Sequence, residues 1–100
     1  MKKIIEFMRI TETERNIICN AVNIQDTDAK IYLFGSRADD SKKGGDIDLL
    51  IISQKLTRKN IRQIRRNIID KIGDQKIDIV LENDLQKPFT RIAANEGVLL

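Results

Sequence analysis

Apolar residues recur at helical intervals in the first clear segment of the chain, TETERNIICNAVN, residues 11–23. The positions that fall on one face of such a helix are Ile17, Ile18, Ala21 and Val22. Thr11, followed three residues later by Glu14, has the spacing of a capping box, which satisfies free amide groups at a helix start. The segment therefore predicts an amphipathic helix that begins after Thr11.

Three short apolar runs are typical of β-strands. They are KIYLF at 30–34, DIDLLIIS at 46–53 and KIDIVLE at 76–82. The second run is apolar at nearly every position after Asp48, so we expect both faces of that strand to be covered over much of its length.

Helical spacing returns in TRKNIRQIRRNIIDKIG, where Thr57 is the expected N-cap and Gly73 the expected stop. The apolar stripe of this helix consists of Ile61, Ile64, Ile68 and Ile72. Its basic residues lie mostly on other faces. Those faces are either solvated or dock an acidic partner or nucleic acid.

The last part of the chain predicts a third helix over residues 89–96, ended by Gly97, with Phe89, Ile92 and Ala93 in the core. The closing VLL is expected to form a short edge strand. The order α-β-β-α-β-α predicts an α/β fold, with a small mixed sheet and flanking helices.

Length and composition limit the class of protein. We expect a single domain over residues 1–100, in which 1–10 are an extended or poorly ordered segment. With 41% hydrophobic and 33% charged residues, the chain is neither a disordered tail nor a membrane protein. No apolar run approaches the roughly 20 residues of a membrane span, and Glu6 and Arg9 make the start a poor signal peptide. We therefore expect a cytoplasmic protein with no membrane partner.

The residue types present also limit the chemistry. The chain has no histidine and a single cysteine, Cys19, which excludes an internal disulfide, Cys/His zinc sites and His-dependent nucleophilic catalysis. Four aromatic residues are too few for a base-stacking platform, which argues against direct nucleic-acid binding. The net charge of +3 permits a nucleotide or another polyanion as a partner but demands neither.

Three aspartates interrupt runs that otherwise predict buried strands. Side chains alternate across a strand, so Asp46 and Asp48 point to one face, and Asp78 lies centrally in the third strand. If the two strands are neighbours, the three carboxylates can converge. Ionised carboxylates share a partly buried place only at high cost unless a cation lies between them. Mg²⁺ prefers such oxygen ligands, so the pattern predicts one or two Mg²⁺ ions held by Asp46, Asp48 and Asp78.

A Gly-Ser pair follows the first strand and supplies a candidate nucleotide site. Gly35 permits unusual backbone angles and lets a ligand approach the main chain, while Ser36 offers a hydroxyl and an amide N–H. Arg37 contacts either a phosphate or a nearby aspartate, and the sequence leaves this open. A phosphate cradle beside a metal site is the arrangement that nucleotidyl transfer requires.

The stretches FGSRADDSKKGGDIDLLI, KIDIVL and RIAANEGVLL resemble the nucleotidyltransferase superfamily that includes DNA polymerase beta and the kanamycin nucleotidyltransferases. Within it, the chain looks like the minimal nucleotidyltransferases, the MNT group, over about residues 11–100. The resemblance implies that Gly35 and Ser36 hold nucleotide phosphates. It also implies that Asp46 and Asp48 bind metal.

The resemblance further implies that Asp78 helps to activate the attacking hydroxyl. Two features depart from the family pattern. The spacer between Ser36 and Asp46 has nine residues, which is short for the family, and Gly45 stands where a serine is common. Neither departure removes a metal ligand.

The activity implied by the resemblance is Mg²⁺-dependent transfer of a nucleoside monophosphate, AMP from ATP or a group from another NTP, to a hydroxyl. Minimal members typically work with a small helical HEPN-type partner, and in several pairs they are the antitoxin of that toxin. Because the chain has no room for an acceptor domain, a partner protein is the expected acceptor.

Two alternatives stay open at this point. One is a non-catalytic antitoxin that neutralises a HEPN-type partner by contact. The other is an aminoglycoside-type transferase that acts on a small molecule. A homo- or hetero-oligomer is compatible with each of these functions.

Overall fold

The structure is a computed structural model that describes residues 10–35, 46–73 and 75–100. These ranges contain three helices and four strands: α1 Glu12–Asn23, β1 Lys30–Phe34, β2 Ile47–Ile52, α2 Arg58–Ile72, β3 Ile77–Glu82, α3 Pro88–Glu96 and β4 Val98–Leu99. The predicted α/β fold is confirmed, and the closing VLL does contribute a short strand. The expectation for the N-terminal segment falls outside the described residues, apart from the buried Ile10.

The four strands form one mixed sheet in the order β3-β2-β1-β4. Strands β2 and β3 are parallel and are joined through α2, while β1 is antiparallel to both of its neighbours. This places β3 at one edge of the sheet and β2 at its centre. The two aspartate-bearing strands are therefore direct neighbours, as the convergence of their carboxylates requires.

Helices α1 and α2 both begin at the predicted threonine caps. In α1, Glu14 N–H donates to Thr11 Oγ1 at 3.0 Å, and Thr11 N–H donates to Glu14 Oε1 at 2.8 Å. In α2, Asn60 takes the place of the glutamate, because its Oδ1 accepts from Thr57 N–H at 2.9 Å. Gly73 ends α2 with φ +102°, as its predicted role requires. Among the described helices, none is long and apolar enough to cross a bilayer.

The main core lies between one face of the sheet and helices α1 and α2. Its fully buried side chains include Ile18, Val22, Leu33, Ile47, Leu49, Ile51, Ile64 and Ile68. The opposite face of the central strand is also covered, because Leu50 is fully buried there beside α3. The prediction that both faces of β2 are covered is therefore correct over its central part.

The predicted core face of α3 is wrong at two positions. Phe89 and Ile92 are 54% and 55% exposed, and the side chains that α3 buries are Thr90 and Ala93. The chain passes from α3 directly into β4, which pairs with β1, so the end of the helix is held close to the sheet.

Gly97 shows how close this approach is. A β-carbon at Gly97 would lie 2.6 Å from the carbonyl oxygens of Leu33 and Ala93. Only small residues fit at such a separation, and the larger apolar side chains of α3 are therefore rotated outward. Phe89 instead packs edge-on against Phe34, with ring centroids 6.0 Å apart.

Candidate active site

Asp48 and Asp78 lie directly opposite each other on the parallel strands β2 and β3. Neighbouring strands are about 4.8 Å apart, and residues in register project from the same face of the sheet. The side chain of Asp48 is half-buried, whereas that of Asp78 is exposed. The sheet register therefore brings two of the three predicted carboxylates to one place.

Asp46 lies two residues before Asp48 and just before the start of β2. Its carboxylate forms an ion pair with the Nζ of Lys76, at 3.6 Å from Oδ2. The side chain of Lys76 is largely exposed and that of Asp46 is about half exposed, so this pair contributes little to stability. Lys76 therefore places a positive charge at the edge of the cluster formed by Asp46, Asp48 and Asp78.

The electrostatics of the site are visible at Asp48. Burial raises the pKa of its carboxyl group, and the negative charges of Asp78 and Asp46 raise it further. Lys76 acts in the opposite direction. Negative charge therefore accumulates at this edge of the sheet beyond what the neighbouring lysine offsets.

Gly35 ends β1 beside the same carboxylate. Its φ of +72° lies in the left-handed region, where a side chain is strained. A β-carbon at this position would overlap the Asp48 Oδ2 atom and would lie 3.2 Å from its Cγ. Glycine is thus required here by the packing of Asp48 against the main chain, as well as by the turn.

The other two residues of the predicted nucleotide site, Ser36 and Arg37, lie outside the described residues. Gly35 itself lies at the carboxyl end of β1. Because β1 and β2 are antiparallel, this point lies next to the amino end of β2. The expected roles of Ser36 and Arg37 stay predictions.

The chemistry of the three carboxylates fits a hard divalent cation. All their donor atoms are oxygens. The pKa of Asp48 is raised first by burial and then by the negative charges of Asp78 and Asp46, and a bound cation would relieve that repulsion. In the part of the chain that the structure describes, no three acidic or sulfur side chains are already gathered as a metal-binding group. Asp78 is exposed, whereas Asp48 is half-buried.

Sequence reasoning overlooked Lys76 as part of this site. In a parallel register, the residue two before Asp78 lies beside the residue two before Asp48, which is Asp46. That correspondence was available once β2 and β3 were taken as parallel neighbours. Lys76 therefore belongs to the site as the cation that faces Asp46.

A cavity of about 440 Å³ lies at the opposite end of the same strands. It is lined by residues from the carboxyl end of β2 and from the loop after β3, including Ser53 and Asn83. Of the predicted site residues that the structure describes, none contributes to it. Its position gives no reason to move the candidate site away from the carboxylates.

Comparison with known proteins addresses the family. The sequence profile of the family described as "Polymerase beta, Nucleotidyltransferase" matches residues 16–100. A search of curated proteins found no matching relative. The matched range runs from within α1 to the last residue and includes Gly35 and all three candidate aspartates. The chain therefore belongs to the polymerase beta nucleotidyltransferase family.

Proposed function

We propose that this protein transfers a nucleoside monophosphate, AMP from ATP, to a hydroxyl group on a partner protein in a Mg²⁺-dependent reaction. The observation that carries the proposal is the register of β2 and β3, which sets Asp48 opposite Asp78. Gly35 adds to it, because its main chain lies directly against the Asp48 carboxylate. Membership of the family supports nucleotidyl transfer in general.

In this proposal Asp46 and Asp48 hold Mg²⁺, with Asp78 as a third carboxylate. The bound ion would neutralise charge on the triphosphate and on its leaving group. Gly35 offers main chain that a phosphate can approach closely, and Ser36 offers hydroxyl and amide donors. Lys76 stays at the rim, where its ion pair with Asp46 limits the repulsion among the carboxylates.

The reaction forms a bond between the acceptor oxygen and the α-phosphorus of the nucleotide. The bond from that phosphorus to the bridging oxygen breaks, and pyrophosphate leaves with the electron pair. The proton of the acceptor hydroxyl passes to the carboxylate of Asp78, which is exposed and can return it to solvent. Positioning and charge stabilisation supply most of the rate.

The acceptor is proposed to be a HEPN-type helical protein, with this chain as its antitoxin. The resemblance to minimal nucleotidyltransferases supports this partner.

A labelling experiment tests the proposal. The protein is incubated with ATP labelled at the α-phosphate and with Mg²⁺, with and without the protein encoded by the adjacent reading frame. We expect label on the partner, and we expect Asp46→Asn and Asp48→Asn each to lower the rate by about 100-fold or more. A chelator should have the same effect.

Asp84→Asn is the matched control, because it also removes one carboxylate charge but lies after the carboxyl end of β3, away from the site. It should label the partner at the wild-type rate. If no protein is labelled and both site variants still neutralise the partner fully, the transfer reaction is wrong and inhibition by contact takes its place.

A further inference from the structure

The outer edge of β3 is unpaired in the part of the chain that the structure describes, because β3 is the terminal strand of the sheet. Ile47 N–H donates to the carbonyl of Lys76 at 3.0 Å, and Ser53 N–H donates to the carbonyl of Glu82 at 2.9 Å. In a parallel pair of strands, these two bonds determine which residues of β3 bond to β2, and they are the even-numbered ones. The main-chain groups of Ile77, Ile79 and Leu81 therefore point away from the sheet.

A basic groove runs beside this free edge. It has a volume of about 410 Å³ and is lined by Arg58, Ile61, Arg62, Arg65, Ile79 and Leu81. The first four residues belong to α2 and the last two to β3. The outward-facing main chain of β3 and the arginines of α2 thus border the same space.

The arginines of the groove have no acidic neighbour within ion-pair distance among the described residues. The Nε of Arg65 is also buried, and no described residue gives it a hydrogen-bond partner. Unpaired charge of one sign along a groove attracts a ligand of the opposite sign. Further basic residues, Lys59 and Arg66, extend this charge along the exposed side of α2.

We propose that an extended acidic segment of a partner protein pairs with the free edge of β3 and places its carboxylates on the arginines of α2. Side chains of an added strand alternate between the two faces of the sheet. Every second residue would face the α2 side, where Arg58, Arg62 and Arg65 lie. Main-chain hydrogen bonds supply affinity in this mode of recognition, and acidic residues at alternate positions supply specificity.

A second copy of this chain fits the edge poorly. Pairing of β3 with β3 of another molecule would bring the two arginine grooves together, and like charges across an interface are unfavourable. A nucleic acid would use the charge but not the row of free amide and carbonyl groups. Among the described residues, no aromatic side chain lines the groove for base stacking.

The docking edge is continuous with the candidate active site. Asp78 lies in β3 between Ile77 and Ile79, and its side chain is on the opposite face of the strand from the groove. A segment paired with β3 would therefore pass beside the candidate carboxylates. Docking itself does not depend on transfer, so binding can be measured in a protein that has lost catalysis.

The probe is a fluorescein-labelled heptapeptide of alternating glutamate and valine, with binding followed by fluorescence anisotropy. We expect Arg62→Glu to raise its Kd by about tenfold or more. Raising salt from about 0.05 M to about 0.5 M should also weaken binding, because screening shortens the range of the charges. Lys71→Ala is the control, since it removes a charge from the same helix outside the groove and should leave the Kd within about twofold.

Two methylated peptides separate strand addition from a contact of charges alone. Methylation of the glutamate amides blocks an antiparallel added strand, and methylation of the valine amides blocks a parallel one. We expect one methylated peptide to lose binding and the other to keep it. Asp48→Asn should bind the unmodified peptide as well as the wild type, whatever its effect on transfer.

Several outcomes would overturn the proposal. Equal binding by the two methylated peptides would show that β3 is not the docking edge. Tighter binding of a single-stranded oligonucleotide with the same number of charges, lost in Arg62→Glu, would assign the groove to nucleic acid. Self-association of the chain that the peptide reverses would assign the edge to a second copy.

Discussion

Gly35 and Asp48 constrain each other at the end of β1, since the carboxylate occupies the space that a side chain at position 35 would need. A glycine in a turn is commonly explained by its backbone angle alone. Here the positive φ and the close carboxylate act together. The result is a half-buried acid held against the main chain of Gly35, at the carboxyl end of β1.

Gly35→Ala should destabilise the protein by about 1–3 kcal/mol, because alanine is strained at this φ and its β-carbon overlaps Asp48. Urea denaturation measures the effect. Gly73→Ala is the comparison, because Gly73 also has a positive φ but a β-carbon there would have no described atom within 4 Å. Combining Gly35→Ala with Asp48→Ala should recover part of the loss. Strict additivity of the two changes would contradict the overlap.

The charge on Asp48 should make the metal-free protein less stable at neutral pH. Burial and the charges of Asp78 and Asp46 raise the pKa of Asp48 in the folded state above its unfolded value of about 3.9. At a pH between these two pKa values, folding therefore takes up a proton. Above the folded-state pKa, Asp48 is charged in both states, and the full loss of folding stability caused by its charge is present.

In the presence of a chelator, Asp48→Asn should therefore raise the free energy of unfolding near pH 7. This gain should shrink as the pH falls through the raised pKa and vanish below about 3.9, where the wild-type carboxyl is neutral in both states. Denaturation curves across this range check the result. A gain that is the same at every pH would contradict the electrostatic explanation.

At the scale of elements, the sequence predicts most of the fold because local signals and burial agree. Thr11 and Thr57 cap the helices that they were expected to cap, and the isoleucine stripe of α2 lies in the core. The face of α3 was not predictable from its own spacing. Its orientation follows from the short path through Gly97 into β4, which is a tertiary constraint on a nine-residue helix.

For the candidate site, too, one part was predictable from the sequence and another part was not. Strand alternation predicts that Asp46 and Asp48 share a face, and the register adds that Asp78 lies opposite Asp48. The contact between Gly35 and Asp48 could not be predicted from the sequence, because it depends on how closely β1 and β2 approach each other. Lys76 required the parallel register as well.

Buried hydrogen bonds between two loops lead to a further prediction at the scale of elements. Asp26, after α1, accepts a hydrogen bond from the Ser53 hydroxyl at 2.6 Å and from the Asp28 N–H at 3.0 Å. Ser53 Oγ in turn accepts from the N–H groups of Lys55 and Leu56, both at 3.0 Å. The Ser53 hydroxyl, followed by the Asp28 N–H, lowers the pKa of Asp26. The link joins the start of β1 to the end of β2.

Asp26→Asn should cost about 1–3 kcal/mol near pH 7, because it weakens a buried, charge-assisted bond. A lowered native pKa gives stability that is present above the unfolded value of about 3.9 and is lost as the pH falls through the native value. The gap between wild type and variant should therefore narrow in acid. Urea denaturation measures it, with Asp28→Asn, at an exposed position, as the control.

A persistent gap below the native pKa of Asp26 would contradict this explanation. It would mean that the asparagine side chain destabilises the protein by disturbing the packing of the loop, and that the loss of the Asp26 charge is not the cause. Ser53→Ala provides an independent check, since it removes the same bond from the other side, together with the two bonds that Ser53 Oγ accepts from the N–H groups of Lys55 and Leu56. The two substitutions should show strong non-additivity, because they share one hydrogen bond.

At the scale of the whole molecule, the two faces of the sheet are covered by different helices. Helices α1 and α2 cover one face and form the main core, while α3 covers the other face where it contacts β1, β2 and β4. The amino ends of β2 and β3 are left with Asp48 half-buried and Asp78 exposed. Stability thus comes from the α1/α2 side, which leaves the carboxylates on a rigid but accessible edge.

This division predicts that Mg²⁺ stabilises the wild-type protein through the carboxylates alone. A ligand that binds only the folded state, at one hundred times its Kd, adds about 2.7 kcal/mol to the free energy of unfolding. Thermal melts should therefore rise with Mg²⁺, and further when a non-hydrolysable ATP analogue is added. Asp48→Asn should begin at a higher melting temperature without metal and gain nothing from Mg²⁺, so the two melting curves should exchange order as Mg²⁺ is added. Asp84→Asn should follow the wild type, and an equal rise in Asp48→Asn would place the cation elsewhere.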